Sequence, residues 1–513
     1  MAYASLLSLN QTLEQILHLD DQTEQHHIFM RSLHEKVSFL LSFLDVSSPQ
    51  NSDKLIGLEG RIRDAAYEAE DIIESSMSNQ IVSESGSHEY RTESHMSNHI
   101  VLEWDQKFER LQKIIQELNS ISDEVVKMRE KNEIQVLLPS NSLPAASSKS
   151  RSTNKSATVG LDRDLMEIKK LLTKPHSELE VVSIVGMGGL GKTTLAKLTY
   201  NDSFIANHFD VRAWVVVSQE YREQEVLKGL LNSLRGLNHE SGEESIEKLA
   251  ENVSKILKDK RYLIVIDDVW VMEQLNQVKS LFPDNNNGSR IILTTRNSVV
   301  AHRASHLFPP YHMAFLDVEA SWNLLHEMVF GEERCPPELQ EIGHMIIMMC
   351  EGLPLLLVLI GGLLYKSERT LHYWKHVERN IHSVVVGMDY HMNFLGYISF
   401  IYNQLPHHLR ACFLYMGVLP EDYEIRRSKL TKLWVANRFI KPDRSKSLEE
   451  VAEEYLKDLV DRNLILVREW SYSGEIKTCS IHDILWQFCM LKAKDEKFNS
   501  VVGYPLEVYD NLR

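Results

Sequence analysis

The sequence predicts a multidomain protein that is mainly α-helical and contains one α/β domain. The chain has 513 residues, enough for three or four domains of about 150 residues each. Its first part carries apolar residues at helical spacing, whereas residues 181–295 hold short apolar runs that alternate with helical segments. Such nearly continuous apolar strands are typical of a parallel sheet that is covered on both faces.

Four amphipathic helices are predicted before residue 137, and each has one apolar stripe, so the four are expected to pack as a bundle. The stripes run from Leu6 to Leu17, from Met30 to Leu44, from Leu58 to Ile73 and from Trp104 to Val125. Residues 75–90 are polar and are expected to form a loop. Residues 138–157 are rich in Ser, Pro and Lys and are expected to be an interdomain linker.

Four buried strands are then predicted, followed by a helical region from about 310 to 400 and a mixed region from 401 to 500. The strands are the apolar runs at 181–185, 212–218, 262–267 and 290–295.

The charge of the chain is acidic and unevenly distributed. The formal net charge is −16, and residues 1–140 hold 24 acidic and 12 basic side chains. A general nucleic-acid or anionic-membrane binder should instead be basic. We therefore expect no nucleic-acid partner.

The five cysteines form no CxxC pair, so neither a zinc site nor a disulfide framework is indicated. The first basic residue is Arg31, so the positively charged start of a secretory signal is not expected. The longest apolar run, at 353–365, is too short to span a bilayer. These features predict a cytoplasmic protein without a transmembrane segment, and peripheral contact with the plasma membrane on activation stays open.

The segment GMGGLGKTT, residues 186–194, follows the first predicted strand and has the P-loop pattern GxxxxGK[ST]. Its glycines allow backbone N–H groups to surround phosphate, and the start of the next helix adds its dipole. Lys192 should reach the β- and γ-phosphates and take part in catalysis, and the Thr193 hydroxyl should bind Mg²⁺. The predicted nucleotide-binding residues of this loop are Gly186, Gly188, Gly189, Gly191, Lys192, Thr193 and Thr194.

Two further strands end in polar residues that fit the same chemistry. LIVIDDVW places Asp267 where a Walker B carboxylate would hold Mg²⁺, and Asp268 where a water-activating acid would lie. GSRIILTTR places Arg296 at the same sheet edge, where it could sense a γ-phosphate.

Seven motifs occur in an order that resembles the NB-ARC module of plant intracellular immune receptors of the coiled-coil class, over about residues 158–490. They are GMGGLGKTT, FDVRAWVVVSQ, YLIVIDDVW, GSRIILTTR, EGLPLLL, ACFLYMGVLPEDYEI and CSIHDIL. The segment YEAEDIIE, residues 67–74, also resembles the acidic motif of the Rx-type N-terminal domain.

The resemblance implies a domain order. It comprises an Rx-type helical domain at 1–137, the linker at 138–157, a P-loop nucleotide-binding domain at 158–308, a helical ARC subdomain at 309–400, a winged-helix subdomain at 401–500 and the start of a missing C-terminal region at 501–513. The family usually continues into leucine-rich repeats, and no such series is visible before Arg513. We therefore expect either a truncated product or a receptor that has lost its sensor.

The resemblance also implies contacts to the nucleotide. Val159 and Gly160 would border the adenine, Pro354 would pack on the base, and His482 would contact the β-phosphate of ADP. Asp483 would help hold the ADP-bound state closed. From the residues alone, Pro354 could equally begin a helix, and His482 could be an ordinary half-buried histidine.

The function implied is a disease-resistance switch that is ADP-bound at rest and ATP-bound when active. It would hydrolyse ATP slowly, self-associate on activation, and respond to other immune receptors, a pathogen effector or a guarded host protein. Glu70, Asp71 and Glu74 would form an acidic docking surface within the chain or between protomers; the alternative is a solvated acidic face.

Other interpretations stay open at this point. One is a truncated adaptor or decoy that partners full-length receptors without switching. A second is a winged-helix transcription regulator, although residues 401–500 hold 16 basic and 15 acidic side chains and DNA binding needs a basic face. A third is a turnover ATPase, although no Glu follows the Walker B aspartate.

Overall fold

The computed structural model describes residues 1–17, 24–46, 53–85, 93–130, 159–217, 221–235, 245–305, 307–385, 390–496 and 498. The chain divides into two compact units, one of Met1–Ser148 with Asp389–Arg513 and the other of Lys149–Met388. The predicted linker at 138–157 lies outside the described residues.

The first unit begins with four helices, as the apolar stripes predict. They are α1 (Ala2–Leu17), α2 (Glu24–Val46), α3 (Asp53–Ser85) and α4 (Glu93–Glu130). The expected loop at 75–90 is wrong as far as Ser85, because α3 continues to that residue. No glycine or proline lies between 75 and 85, so no backbone restriction ends the helix there.

One apolar core holds these four helices together. Leu6, Leu33, Ile62 and Leu118, one from each helix, are fully buried in it. The stripes therefore face one another, as in a helix bundle. The side chain of Trp104, predicted to begin the fourth stripe, lies outside the described residues.

The second unit contains a parallel sheet. Its strands are β1 (Glu180–Val185), β2 (Val211–Val216), β3 (Tyr262–Val269), β4 (Arg290–Thr295) and β5 (Tyr311–His312). They are ordered β2-β3-β4-β1-β5, and every pair is parallel. The four predicted strands are confirmed. The two-residue β5 is too short to produce an apolar pattern, so the sequence did not indicate it.

Helices surround the sheet and continue beyond it within the same unit. They are α5 (Asp162–Leu172), α6 (Lys192–Asn201), α7 (Ser203–His208), α8 (Glu223–Arg235), α9 (Ile246–Leu257), α10 (Met272–Lys279), α11 (Ser298–Ala304), α12 (Val318–Val329), α13 (Pro337–Met349), α14 (Pro354–Tyr365) and α15 (Leu371–Val385). Strands β3 and β4 are buried along almost their whole length, which explains their unbroken apolar runs.

The register of the sheet brings three strand ends together. Val185 at the end of β1 is paired with Thr295 at the end of β4, and β3 lies on the other side of β4. The carboxyl ends of β1, β3 and β4 therefore share one sheet edge, where ligands bind in open α/β sheets.

The remaining part of the first unit has the elements of a winged helix. Its helices are α16 (Tyr390–Asn403), α17 (His407–Tyr415), α18 (Arg427–Ala436), α19 (Leu448–Asp461) and α20 (Asp483–Asp495). Its strands β6 (Ile425–Arg426), β7 (Leu466–Trp470) and β8 (Ile476–Ser480) form an antiparallel sheet in the order β6-β8-β7.

Charged contacts connect the helix bundle with the winged-helix part inside this first unit. The Arg410 guanidinium lies 2.9 Å from the Glu59 carboxylate, and Lys441 pairs with Asp45. Among the described helices, no helix is both long enough and apolar enough to cross a membrane.

Candidate functional site

A glycine-rich loop joins the buried strand β1 to helix α6. Gly189 and Gly191 have φ angles of +80° and +95°, a region that other residues rarely adopt. A Cβ on Gly189 would also lie 2.8 Å from the Leu355 Cβ. Helix α6 begins at Lys192, so the N-terminal end of its dipole is directed at the loop.

Lys192 is the buried cation of this loop. Its Nζ donates a hydrogen bond to the Met187 carbonyl at 3.0 Å. Burial, together with the nearby Arg296 guanidinium, lowers the pKa of Lys192 to about 8, although Asp268 and Asp267 oppose the shift. The ammonium thus lies among the groups predicted to bind phosphate and metal, and an incoming anion would offset the cost of burying its charge.

Asp267, Thr193 and Thr294 form a hydrogen-bonded cluster at the shared sheet edge. The Thr193 hydroxyl donates to Asp267 Oδ1 at 3.0 Å, and the Thr294 hydroxyl donates to the same oxygen at 2.5 Å. Burial raises the pKa of Asp267, and these two hydrogen bonds act in the opposite direction. Hydroxyl and carboxylate oxygens side by side fit Mg²⁺, which prefers hard oxygen ligands.

Asp268 follows in a left-handed conformation with φ of 57°. The pairing of β3 with β4 is irregular between Ile266 and Val269, so the two aspartates lie in a bulge. Arg296 Nε lies 3.7 Å from Asp268 Oδ1, and the Arg296 guanidinium carbon lies 4.8 Å from the centre of the Trp270 ring. Trp270 is a neighbour of the arginine that sequence reasoning missed.

A continuous chain of contacts leads from the predicted adenine segment to the glycine-rich loop. A Cβ on Gly160 would lie 2.8 Å from Leu316 Cδ2, and the Leu316 N–H donates to the Gly352 carbonyl at 2.9 Å. The Leu355 N–H donates to the Gly189 carbonyl at 3.2 Å.

The structure thereby places Pro354 next to the loop. Pro354 is the first residue of α14, as expected for proline at a helix start, and its neighbour Leu355 makes the contact with Gly189. The sequence assigned a role to Pro354 but gave no sign that the following residue touches the phosphate loop.

His482 belongs to the first unit, whereas all the other predicted nucleotide ligands belong to the second. It caps helix α20, since its Nδ1 accepts a hydrogen bond from the Ile484 N–H at 3.2 Å. Asp483 is the acidic residue in the first turn of that helix, where a negative charge is favourable. A histidine that caps a helix is compatible with both interpretations of His482, a contact with ADP and an ordinary half-buried histidine.

Among the described residues, His176, Glu178 and Glu180 also lie close enough to hold a metal ion, with ligand atoms within 4.8 Å of one another. The buried Arg290 supplies a positive charge beside them. Its guanidinium donates to the Glu178 carbonyl at 3.0 Å and to the His176 carbonyl at 2.8 Å. The Glu180 carboxylate also opposes the lowering of the Arg290 pKa by burial, so we assign Glu180 to Arg290 rather than to a cation site.

Comparison with known proteins agrees with this geometry. Residues 161–335 match the NB-ARC domain, and residues 418–489 match the disease resistance protein winged helix domain. The chain carries an NB-ARC domain and a disease resistance winged helix domain. An NB-ARC domain is a nucleotide-binding domain, which fits the glycine-rich loop and the carboxylate–hydroxyl cluster described above.

Curated relatives match two thirds to three quarters of this NB-ARC protein. Three of them are late blight resistance protein homologues from Solanum demissum. One is 38% identical over 387 residues and another is 39% identical over 388 residues, and each match covers 75% of the chain and 29% of the relative. The third is 40% identical over 66% of the chain and 25% of its own length. The chain thus spans less than a third of the length of these relatives.

A solved structure of a signal transduction ATPase with numerous domains and a tetratricopeptide repeat sensor, from Pyrococcus horikoshii, is also similar. It is 19% identical, covers 64% of this chain and 42% of its own, and has a TM-score of 0.40. A similarity this low supports no inference about function.

Proposed function

We propose that this NB-ARC protein is a nucleotide-operated switch for disease resistance, ADP-bound at rest and ATP-bound when active. The observation that carries the proposal is the arrangement at one sheet edge of Lys192, the Thr193 hydroxyl and the buried Asp267 carboxylate, with 3.0 Å between the last two. Lys192 and the loop amides would bind the phosphates. Thr193 and Asp267 would hold Mg²⁺, which neutralises phosphate charge when bound.

The other predicted site residues have roles in the same proposal. Arg296, held beside Asp268 and Trp270, would leave these partners for a γ-phosphate, so that ATP and ADP favour different states. A ligand shifts an equilibrium only by its differential affinity for the two states. Val159, Gly160 and Pro354 would border the base, and His482 would contact ADP.

Slow hydrolysis would reset the switch. Asp268 is the candidate acid for activating water, but its carboxylate lies 3.7 Å from the Arg296 guanidinium. A carboxylate that is paired with an arginine is less available to orient an attacking water, so turnover should be slow. Rates near 10 s⁻¹, about the median for enzymes, would instead indicate a turnover ATPase.

The acidic residues of the bundle would provide the regulated contact. Glu70 Oε1 accepts from the Ser8 hydroxyl at 2.6 Å and lies 3.6 Å from the Arg438 guanidinium of the winged-helix part. Asp71 is exposed, and the side chain of Glu74 lies outside the described residues. We propose that the Glu70 contact holds the bundle at rest and that its release allows self-association.

The direct test is the nucleotide that purified protein releases on denaturation. We expect ADP from the unmodified protein and none from Lys192→Arg, because a planar guanidinium cannot replace the point charge inside the loop. Lys197→Arg, in the same helix, is the matched control and should retain ADP. Absence of nucleotide from the unmodified protein would overturn the proposal, and equal affinity for ADP and ATP would favour a non-switching adaptor.

A further inference from the structure

Thr294 occupies a special position next to the predicted metal ligands. Its side chain is fully buried at the end of β4, and its single hydroxyl makes two hydrogen bonds. It donates to Asp267 Oδ1 at 2.5 Å and accepts from the Asp268 N–H at 2.8 Å. One hydroxyl therefore contacts both the Asp267 carboxylate and the main chain of Asp268.

The bulge in β3 explains why one residue can do this. In a regular ladder, a strand N–H donates to a main-chain carbonyl of the neighbouring strand, whereas the Asp268 N–H donates to the Thr294 hydroxyl. Here the β3–β4 register shifts between Ile266 and Val269, and Asp268 adopts a φ of 57°. Bulges next to active sites commonly redirect a side chain.

The direction of the hydrogen bonds also has a chemical consequence. Because the hydroxyl proton is directed at Asp267 Oδ1, that oxygen is held as an acceptor that faces Thr294. Thr193 donates to the same oxygen at 3.0 Å. A metal bound between Thr193 and Asp267 would replace this second contact, whereas the Thr294 contact comes from the neighbouring strand and can remain.

We propose that Thr294 is a positioning residue that orients the Asp267 carboxylate, and holds the main chain at Asp268, for magnesium–nucleotide binding. This role rests on the proposed function. Groups that orient metal ligands typically contribute about tenfold to a hundredfold to metal affinity. In contrast to Thr193, Thr294 needs no direct contact with the ion.

The chain offers a matched control in the adjacent residue. Thr295 is also fully buried in β4, and its hydroxyl likewise makes two hydrogen bonds, to the Val269 carbonyl at 2.6 Å and from the Asn297 N–H at 3.0 Å. Neither bond reaches an aspartate. Thr294→Val and Thr295→Val therefore remove the same chemical group from the same strand with different consequences for the site.

The experiment measures the affinity of the full chain for a fluorescent ATP analogue as Mg²⁺ is varied, and for ADP in a chelator. We expect Thr294→Val to raise the Mg²⁺ concentration required for half-maximal binding of the ATP analogue by about tenfold or more. Its affinity for ADP in chelator should stay within about twofold of that of the unmodified protein. Thr294→Ser should behave as the unmodified protein because it keeps the hydroxyl, and Thr295→Val should not change the Mg²⁺ requirement.

An unchanged Mg²⁺ requirement in Thr294→Val, or an equal rise in Thr295→Val, would overturn the role. If Thr294→Val does not fold, Thr294→Cys is compared with Thr294→Ser instead, because a thiol is a weaker hydrogen-bond donor than a hydroxyl. A higher Mg²⁺ requirement in Thr294→Cys than in Thr294→Ser would support the role, and equal requirements would overturn it. If the unmodified protein binds no nucleotide, the proposed function fails and this role fails with it.

Discussion

At the scale of single residues, the unusual feature is a buried lysine whose charge is only partly compensated. Burial and Arg296 lower the pKa of Lys192 to about 8. The protonated ammonium is the form that attracts phosphate. Nucleotide binding should therefore be linked to the protonation of this one residue.

This linkage should weaken nucleotide binding at alkaline pH. As the pH rises through about 8, free protein loses the Lys192 proton, whereas a bound polyphosphate favours the charged form. ADP affinity should therefore fall above that pH, and binding there should take up a proton. Calorimetry in two buffers with different ionisation enthalpies measures the uptake. ADP affinity that stays constant between about pH 7 and about pH 9.5 would contradict this expectation.

At the scale of elements, a buried ion pair connects α3 with α17. Arg410 and Glu59 have side chains that are only 7% and 16% exposed. Arg410 also donates to the Asn403 carbonyl at 2.8 Å. His407 lies 3.8 Å from the same carboxylate, and burial keeps the pKa of His407 well below its usual range. The neutral histidine therefore does not replace Arg410 as the partner of Glu59.

Arg410→Met should therefore leave Glu59 without its cation in a largely buried place. We expect the free energy of unfolding to fall by about 3 kcal/mol, as for other broken buried pairs. The additional change Glu59→Leu should recover part of this loss. Arg61→Met is the control, because Arg61 is 40% exposed and pairs with Glu117 at the surface, where a pair contributes about 1 kcal/mol or less.

Denaturant unfolding of the full chains, monitored by fluorescence, gives the comparison. Equal losses in Arg410→Met and Arg61→Met would show that the buried pair has no special role in joining the bundle to the winged-helix part.

At the scale of the whole molecule, the acidity of the N-terminal part has a structural use. Three of its carboxylates, Asp45, Glu59 and Glu70, pair with basic side chains of the winged-helix part. The near balance of charge in residues 401–500 thus includes cations that face an acidic partner in the same unit. Electrostatic complementarity of this kind favours one docking arrangement over others.

A charge exchange tests whether this contact restrains self-association. Glu70→Arg should place two cations together and weaken the contact, so we expect more self-associated protein in ADP than for the unmodified chain. The double variant Glu70→Arg with Arg438→Glu should restore the unmodified behaviour. Light scattering after size-exclusion chromatography measures the species. Unchanged association of Glu70→Arg in both ADP and ATP would contradict a restraining role for Glu70.

Local chemistry made much of this protein predictable from its sequence. The parallel strands produce unbroken apolar runs because they are buried on both faces, the bundle helices show stripes because each packs on one side, and the glycines of residues 186–191 have the spacing that a phosphate loop requires. The loop expected at 75–90 was wrong as far as Ser85 because polarity alone does not end a helix. The short strand β5 had no pattern to reveal it.

Tertiary structure alone decided which distant residues meet. The sequence places Thr294 and Thr295 side by side with no sign that only Thr294 contacts the Asp267 carboxylate and the Asp268 N–H, because the bulge in β3 depends on pairing with β4. It shows Glu59 and Glu70 as acidic residues on helices, whereas their partners Arg410 and Arg438 lie more than 300 residues away. Periodicity and motif spacing act over a few turns of chain, but ion pairs and hydrogen bonds between strands depend on how the elements pack.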